Sequence, residues 1–351
     1  TPLYSSAASD VYKRQSLRFL NKEGKEVFKF IDSEPFYKIL KNLNSDPDTY
    51  EYFFEVSSPT HPAIRYKFDL NSRSISVFED PRKNNLLFPK LNSYQIEATS
   101  NDLTRVPLSV IEMSSDSKSS SATILFGYGS YGIQTDAKFN EHWLPLISRG
   151  VKLAYCHVRG GGDLGKDWHK AGMGINKLKS VEDFLSCANQ LKISKISNKI
   201  IAYGVSAGGA LVASALNQNP SIFTAAILKY PFLNVYETLK DPFATLSEKD
   251  RLDWGNPENS AIRNYLITYD PVLGIKAQLY PPILLIRAMY DQLIPVSDSE
   301  NWLFNMKEKN PASQVTLRLI EDADHFGPKE NYRVKEEYAY ESSFILKTII
   351  Q

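Results

Sequence analysis

The turn Gly204-Val205-Ser206-Ala207-Gly208-Gly209 restricts the fold of this chain more than any other segment. It follows the apolar, β-like run Lys199-Ile200-Ile201-Ala202-Tyr203 and leads into the helix-like Ala210-Leu211-Val212-Ala213-Ser214-Ala215-Leu216. To pass from strand to helix across one serine, the backbone must bend sharply. Small residues two positions either side allow that bend and let the helix pack close. The hydroxyl then stands clear of the sheet, and the first amides of the helix aim at any negative charge that develops beside it. The pattern is that of a nucleophile elbow. A glycine-rich turn whose serine only caps a helix fits the same six residues.

The surrounding pattern supplies the sheet that such a turn needs. Strand-like runs fall near 122–126, 151–157, 200–203, 225–228, 283–287 and 315–319, with helical stretches between most of them and a last helix from about Glu330 to Ile350. This alternation predicts a doubly wound α/β sheet. From Ser16 to about Met113 the pattern is different, with short alternating strands at Tyr50–Val56, Ile64–Leu70 and Ser74–Phe78. They read as a β-meander of the kind that builds a propeller blade, and are too few for a whole propeller. The serine-rich Ser114–Ser121 reads as a surface loop between the two regions. Residues 16–113 are therefore expected to be a β-rich remnant and 114–351 an α/β domain. Residues 1–15 are set aside, because Ser5 to Gln15 looks like a translated adaptor tail, with no structure expected there and natural chain missing upstream.

Composition excludes little but usefully. A formal charge of +1 over 351 residues leaves no basic footprint for nucleic acid. No run approaches membrane-spanning length, and no cleavable signal is visible. Cys156 and Cys187 sit in apolar contexts, which predicts reduced thiols and a cytoplasmic protein.

A competing motif precedes the elbow. Gly127-Tyr128-Gly129-Ser130-Tyr131-Gly132 fits G-x-G-x-x-G and follows the strand Thr123–Phe126, where a dinucleotide fingerprint would sit. The next strand ends in Arg159 rather than an acid, which leaves a 2′-phosphate, and so NADP, open. The helix start at Asp136-Ala137-Lys138-Phe139 lies too far from the last glycine to put its amides on a pyrophosphate, so no cofactor is expected. The same loop can lend a donor to an oxyanion.

An elbow serine needs an acid and a histidine after it, each following a strand. Asp291 follows the run Pro282–Arg287, and His325 follows Val315–Ile320, in the order Ser, Asp, His. Histidine can take a serine proton near neutral pH, and a carboxylate fixes its tautomer. Of five histidines, His61 lies in the β-rich part, His142 on a helix, His157 in a strand and His169 before the elbow. The ordered trio predicts an α/β-hydrolase architecture preceded by a partial antiparallel β region.

From Gly127 to the C-terminus the chain resembles the catalytic domain of the prolyl oligopeptidase family of serine peptidases, nearest its oligopeptidase B and prolyl-endopeptidase-like branch. The resemblance is carried by Gly127-Tyr128-Gly129, by the block Val158-Arg159-Gly160-Gly161-Gly162-Asp163-Leu164-Gly165-Lys166-Asp167-Trp168-His169, by the elbow, and by Asp253-Trp254-Gly255-Asn256-Pro257. It implies Ser206 as nucleophile, Asp291 as acid and His325 as base. It also implies Tyr128 and the Ala207 N–H as oxyanion donors, with Tyr131, Asp250 and Trp254 at the substrate pocket. The family carries a β-propeller that admits only short peptides to the site.

Three departures stand out. Leu293 occupies the place of an arginine that binds a substrate carbonyl in the family, a loss of about 2–4 kcal/mol in peptide positioning. Of two acidic places that bind a basic side chain in oligopeptidase B, one keeps Asp250 and the other is Leu252. Most of the propeller is absent. The expected function is hydrolysis of short peptides through an acyl-enzyme, with an esterase or thioesterase, and a non-catalytic interaction protein of the same fold, as the other readings.

Overall fold

The computed structural model describes residues 4–9, 15–21, 23–32, 37–42, 49–84, 88–114, 122–241 and 248–350. The chain separates into two compact units, one of Thr1–Tyr94, Ile111–Ser117 and Ala137–Leu144, the other of Gln95–Val110, Lys118–Asp136 and Pro145–Gln351.

The first unit is antiparallel. Strands β1 (Tyr4–Ser9), β2 (Gln15–Leu20) and β3 (Glu26–Phe30) form one sheet, and β4 (Lys38–Asn42), β5 (Glu51–Ser58), β6 (His61–Asp69) and β7 (Ser74–Glu79) form a second, in sequential order. The alternation of β5 sends Tyr52, Phe54 and Val56 inward, where they meet Phe19 of β2 and Phe68 of β6. Phe19 and Phe68 have ring centroids 4.1 Å apart. Such rings each bury about 150–250 Å², which lets a small unit hold a core. The four-stranded meander has the form expected of a propeller blade.

β1 corrects one expectation. Tyr4–Ser9 falls within the stretch set aside as structureless, yet it pairs antiparallel with β2. Strand pairing uses backbone N–H and C=O groups, and the open edge of β2 offers a row of them whatever the origin of the residues. Residues 1–3 and 10–14 of that stretch, and residues 115–121 of the serine-rich loop, lie outside the described residues.

The second unit is built on an eight-stranded sheet. It contains β8 (Leu91–Thr99), β9 (Arg105–Met113), β10 (Ala122–Phe126), β11 (Lys152–Cys156), β12 (Lys199–Val205), β13 (Ala225–Lys229), β14 (Ile283–Ala288) and β15 (Val315–Ile320), in the order β15-β14-β13-β12-β10-β11-β9-β8. From β10 to β15 every described pairing is parallel. All residues of β13 and β14 are buried, as parallel strands covered on both faces must be. The helices are α1 (Leu144–Ile147), α2 (Lys166–Lys170), α3 (Leu178–Ile193), α4 (Ala207–Gln218), α5 (Val235–Lys240), α6 (Glu248–Trp254), α7 (Ser260–Tyr269), α8 (Val296–Lys309) and α9 (Asn331–Ile350). A short hairpin, β16 (Ala323–Asp324) and β17 (Gly327–Pro328), precedes α9. Among the described residues no helix is long and apolar enough to cross a membrane.

Strand order matters for the site. β11 lies on one side of β10 and β12 on the other, so the winding reverses there and opens a crevice at the C-terminal ends of β10 and β12. β8 and β9, grouped by pattern with the β-rich region, hydrogen-bond into this sheet instead. The reason is visible in β9, where Val106 to Ile111 are buried without alternation. No helix starts at Asp136–Phe139; the next helical residues are the 3-10 turn Glu141–Trp143.

One further expectation is overturned. Cys156, at the end of β11, and Cys187, on the facing side of α3, are joined in a disulfide with Cα atoms 6.1 Å apart. Sheet-to-helix packing brings two fully buried thiols within bridging range, which sequence spacing does not reveal. The expectation of a cytoplasmic protein loses the support it drew from reduced cysteines. Arg159, a candidate for a 2′-phosphate, is 3% exposed and already engaged. Its Nε and Nη2 donate to Asp183 at 2.9 and 2.6 Å, and its Nη1 donates to Asp102 at 2.5 Å. It ties the glycine-rich turn after β11 to α3. Breaking a buried pair strands the remaining charge, so Asp183→Ala is expected to lower unfolding free energy by about 3–5 kcal/mol, measured by urea titration.

Candidate active site

The elbow residue has the backbone its motif requires. Ser206 adopts φ 54° and ψ −121°, a conformation that costs a non-glycine residue about 1–3 kcal/mol and persists only where its surroundings impose it. Three hydrogen bonds do so. The Ser206 N–H donates to the Lys229 carbonyl at 3.0 Å, and the Ser206 carbonyl accepts from the N–H groups of Gly209 at 2.8 Å and Phe232 at 3.0 Å. Two glycines are demanded by contact. A Cβ on Gly204 would lie 2.1 Å from the Gly208 carbonyl oxygen, and one on Gly208 would lie 2.5 Å from that of Gly127.

Asp291 stands in the turn after β14 and His325 in the two-residue link between β16 and β17. The backbone N–H of Tyr290 donates to Ala323 and that of Met289 to Ile320, which joins the two segments. His325 Nε2 lies 2.9 Å from Ser206 Oγ, and its Nδ1 lies 2.8 Å from Asp291 Oδ2. Asp291 Oδ1 accepts the N–H groups of Leu293 and Ile294 at 3.0 and 2.9 Å. Burial pushes this carboxyl up, but the hydrogen bond with His325 and those two N–H donors outweigh it and hold it below the usual carboxylate range. An ionised Asp291 fixes the proton on Nδ1 and leaves Nε2 free to accept from the serine.

Tyr128 follows β10 and its phenol faces Ser206. Burial raises its pKa, Ser206 opposes, and Asp253 and Asp250 raise it further, so the phenol remains a proton donor near neutral pH. Ala207 opens α4, where a first-turn N–H has no intrahelical carbonyl to meet. Tyr131 and Trp254 form one wall. The indole Nε1 donates to the Tyr131 hydroxyl at 2.8 Å, and Asp250 faces the same phenol. Burial, opposed by the indole bond and reinforced by Asp250, pushes that phenol far above its ordinary value. Leu252 and Leu293 are both exposed.

All eight residues expected at the site therefore gather about the C-terminal edge of the sheet. Of the other histidines, His157 is buried away from them between Ser109 and Asp163, whereas His169 reaches the cluster behind the site. Residues not anticipated as functional support the site from behind. Asp253 accepts the Tyr131 N–H at 2.9 Å and the Lys177 ammonium at 2.6 Å, and lies 2.7 Å from His169 Nε2. Lys177 also donates to the Gly129 carbonyl at 3.0 Å and to Ser130 at 2.6 Å, with its Nζ 4.2 Å above the Trp254 ring. This pair thus grips the loop that carries Tyr128 and Tyr131. Burial lowers the Lys177 pKa, and Asp253 resists that shift. On the nucleophile side, buried Lys229 is paired with Glu337 and Glu341 of α9, while Tyr203 donates to Glu341 and Tyr230 to Glu337. Asp253 opens one motif already noted in the sequence and His169 closes another, a signal that could have flagged them.

Comparison with known proteins agrees with this geometry. A family model described as the prolyl oligopeptidase family matches residues 137–350. The prolyl endopeptidase-like protein of Gallus gallus is 30% identical over 304 residues, covering 82% of this chain and 41% of that protein. Dipeptidyl aminopeptidase BI of Pseudoxanthomonas mexicana is 25% identical over 348 residues, 98% of this chain and 48% of that protein. Among solved structures, oligopeptidase B from Leishmania major superposes with a TM-score of 0.86 at 25% identity, covering 99% of this chain and 50% of that chain. The chain thus spans about half the length, or less, of these relatives.

Removing Asp253 leaves Lys177 charged and buried. Asp253→Ala is expected to cost about 3–5 kcal/mol of stability in a denaturant melt, several times the effect of a surface carboxylate such as Glu258.

Proposed function

The chain belongs to the prolyl oligopeptidase family of serine peptidases, and from that premise we propose that it hydrolyses short peptides through an acyl-enzyme on Ser206. The observation that carries this reading is the continuous chain of contacts from Ser206 Oγ through His325 to Asp291. In it His325 Nε2 accepts the serine proton as Oγ attacks the scissile carbonyl. Negative charge then grows on the carbonyl oxygen, within reach of the Tyr128 phenol and the Ala207 N–H. His325 returns the proton to the departing amine, and the C–N bond breaks to leave an ester on Ser206. Water, deprotonated by the same imidazole, hydrolyses that ester and restores the serine. Asp291 stays ionised throughout and stabilises the imidazolium. Tyr131, Trp254 and Asp250 line the side on which the substrate residue is held.

A second reading, an esterase or thioesterase with little peptidase activity, is favoured by one observation. Leu293, beside the acid, is 50% exposed and offers no charged donor to a peptide carbonyl. A panel of activated esters, thioesters and short peptides separates the two: ester turnover without peptide cleavage supports the second, and a robust peptidase rate removes it.

Wild-type protein is expected to be labelled by a fluorophosphonate probe and Ser206→Ala is not; an unlabelled wild type would falsify the catalytic assignment. Tyr128→Phe removes one oxyanion donor. It is expected to lower kcat by roughly 10²–10³-fold with little change in KM, read from steady-state kinetics.

A further inference from the structure

Arg287 lies in β14, four residues before Asp291, and is 1% exposed. Its Nη2 donates to the Ile294 carbonyl at 2.9 Å, and its Nη1 stands 3.8 Å from Asp291 Oδ2. Nε and Nη1 have no hydrogen-bond partner among the described residues. A buried arginine with two unmatched nitrogens is an expensive feature for a fold to keep for packing alone, since an apolar side chain would fill the same space. Its guanidinium remains charged at any pH at which the protein is folded. The charge sits directly beneath the turn whose N–H groups hold Asp291 Oδ1, on the carboxylate that faces His325.

We propose that Arg287 is a positioning residue for the hydrolysis: its guanidinium pins the acid turn through Ile294 and keeps the Asp291 carboxylate ionised and aimed at His325. The inference rests on the Ser206–His325–Asp291 reading given above. Two consequences follow from electrostatics. A positive charge beside Asp291 favours its ionised form. It also offsets part of the negative field that Asp291 sets up around the ring, so removing the charge is expected to change the pH dependence of the rate.

Other charges face the same region. Asp298 and Glu300 approach the guanidinium from α8, and Asp291 from its own turn, with His325 on the far side of the carboxylate. Burial lowers the Arg287 pKa, and these three carboxylates oppose that shift. Asp298 accepts the N–H groups of Leu233 and Asn234, and burial pushes its carboxyl up to about 6, so it contributes its own titration in every variant. The informative quantity is therefore the difference between variants that keep and lose the charge at position 287.

The test uses the full chain with an activated ester such as p-nitrophenyl acetate, following kcat/KM from pH 5 to 9. Arg287→Met is expected to lower kcat/KM at pH 7 by about tenfold and to move the acidic limb of the profile upward by at least about 0.5 pH unit. Arg287→Lys keeps the charge, and its limb is expected to stay within about 0.2 unit of wild type. If circular dichroism shows that Arg287→Met does not fold, Arg287→Gln takes its place with the same expectation. An unmoved acidic limb in the uncharged variant overturns the proposal, as does an equal shift in Arg287→Lys, because a purely structural role predicts loss of rate without a charge-dependent shift. Wild type that neither turns over the ester nor reacts with the fluorophosphonate defeats the underlying catalytic reading, a result distinct from either of those.

Discussion

The contact of backbone on backbone at the Ser206 turn governs the placement of everything else in the candidate site. Gly204 lies against the Gly208 carbonyl, and Gly208 lies against that of Gly127, with no room for a side chain at either. The start of α4 is thereby pressed onto the end of β12 and onto the loop after β10. The loop carrying Tyr128 and the turn carrying Ser206 must then meet, because β10 and β12 are adjacent strands whose loops leave the sheet at the same edge. The positive φ of Ser206 is the strain this compression requires, and it is held by hydrogen bonds from β13 and the segment after it.

Around this contact the fold uses buried charge to fix loops. Lys177 and Asp253 grip the Gly127–Gly132 loop, Arg159 with Asp183 and Asp102 ties the turn after β11 to α3, and Lys229 with Glu337 and Glu341 binds β13 to α9. Burying such groups carries a desolvation cost that apolar packing would avoid. What it supplies is direction: charge-assisted hydrogen bonds have angular demands that methyl groups do not. These clusters lie in the α/β unit that carries the candidate site, whereas the first unit is held by aromatic rings.

Much of this was legible in the chain itself. Long apolar runs marked β10 to β14, because parallel strands covered on both faces contain little else, whereas β15, half-buried or exposed along its length, was marked by its place in the strand and helix alternation. The trio was legible because an elbow serine, a post-strand acid and a post-strand histidine occur in one order. Strand β9 was misgrouped for the converse reason. It lies beside alternating strands in sequence, and its unbroken burial, not its neighbours, assigns it to the parallel sheet. Lys177 and Arg287 gave no comparable sign, since their importance comes from partners distant in sequence or from burial that a charged residue does not advertise. The Cys156–Cys187 bridge was hidden for the same reason, as it depends on one helix face meeting one strand end.

Local chemistry and period thus determined, from sequence alone, which segments become strands and helices and which serine, acid and histidine are the candidates for nucleophilic chemistry. Strand and helix patterns depend on residues close together along the chain, where steric and periodic rules act, and the trio was marked by the turn around each member and by their order. Tertiary structure alone decided that β10 and β12 are neighbours across the reversal of the sheet, that Lys177 is paired and buried, and that an arginine sits beneath the acid. These arise from contacts between segments far apart in sequence, and only the folded chain brings their charges within a few ångströms.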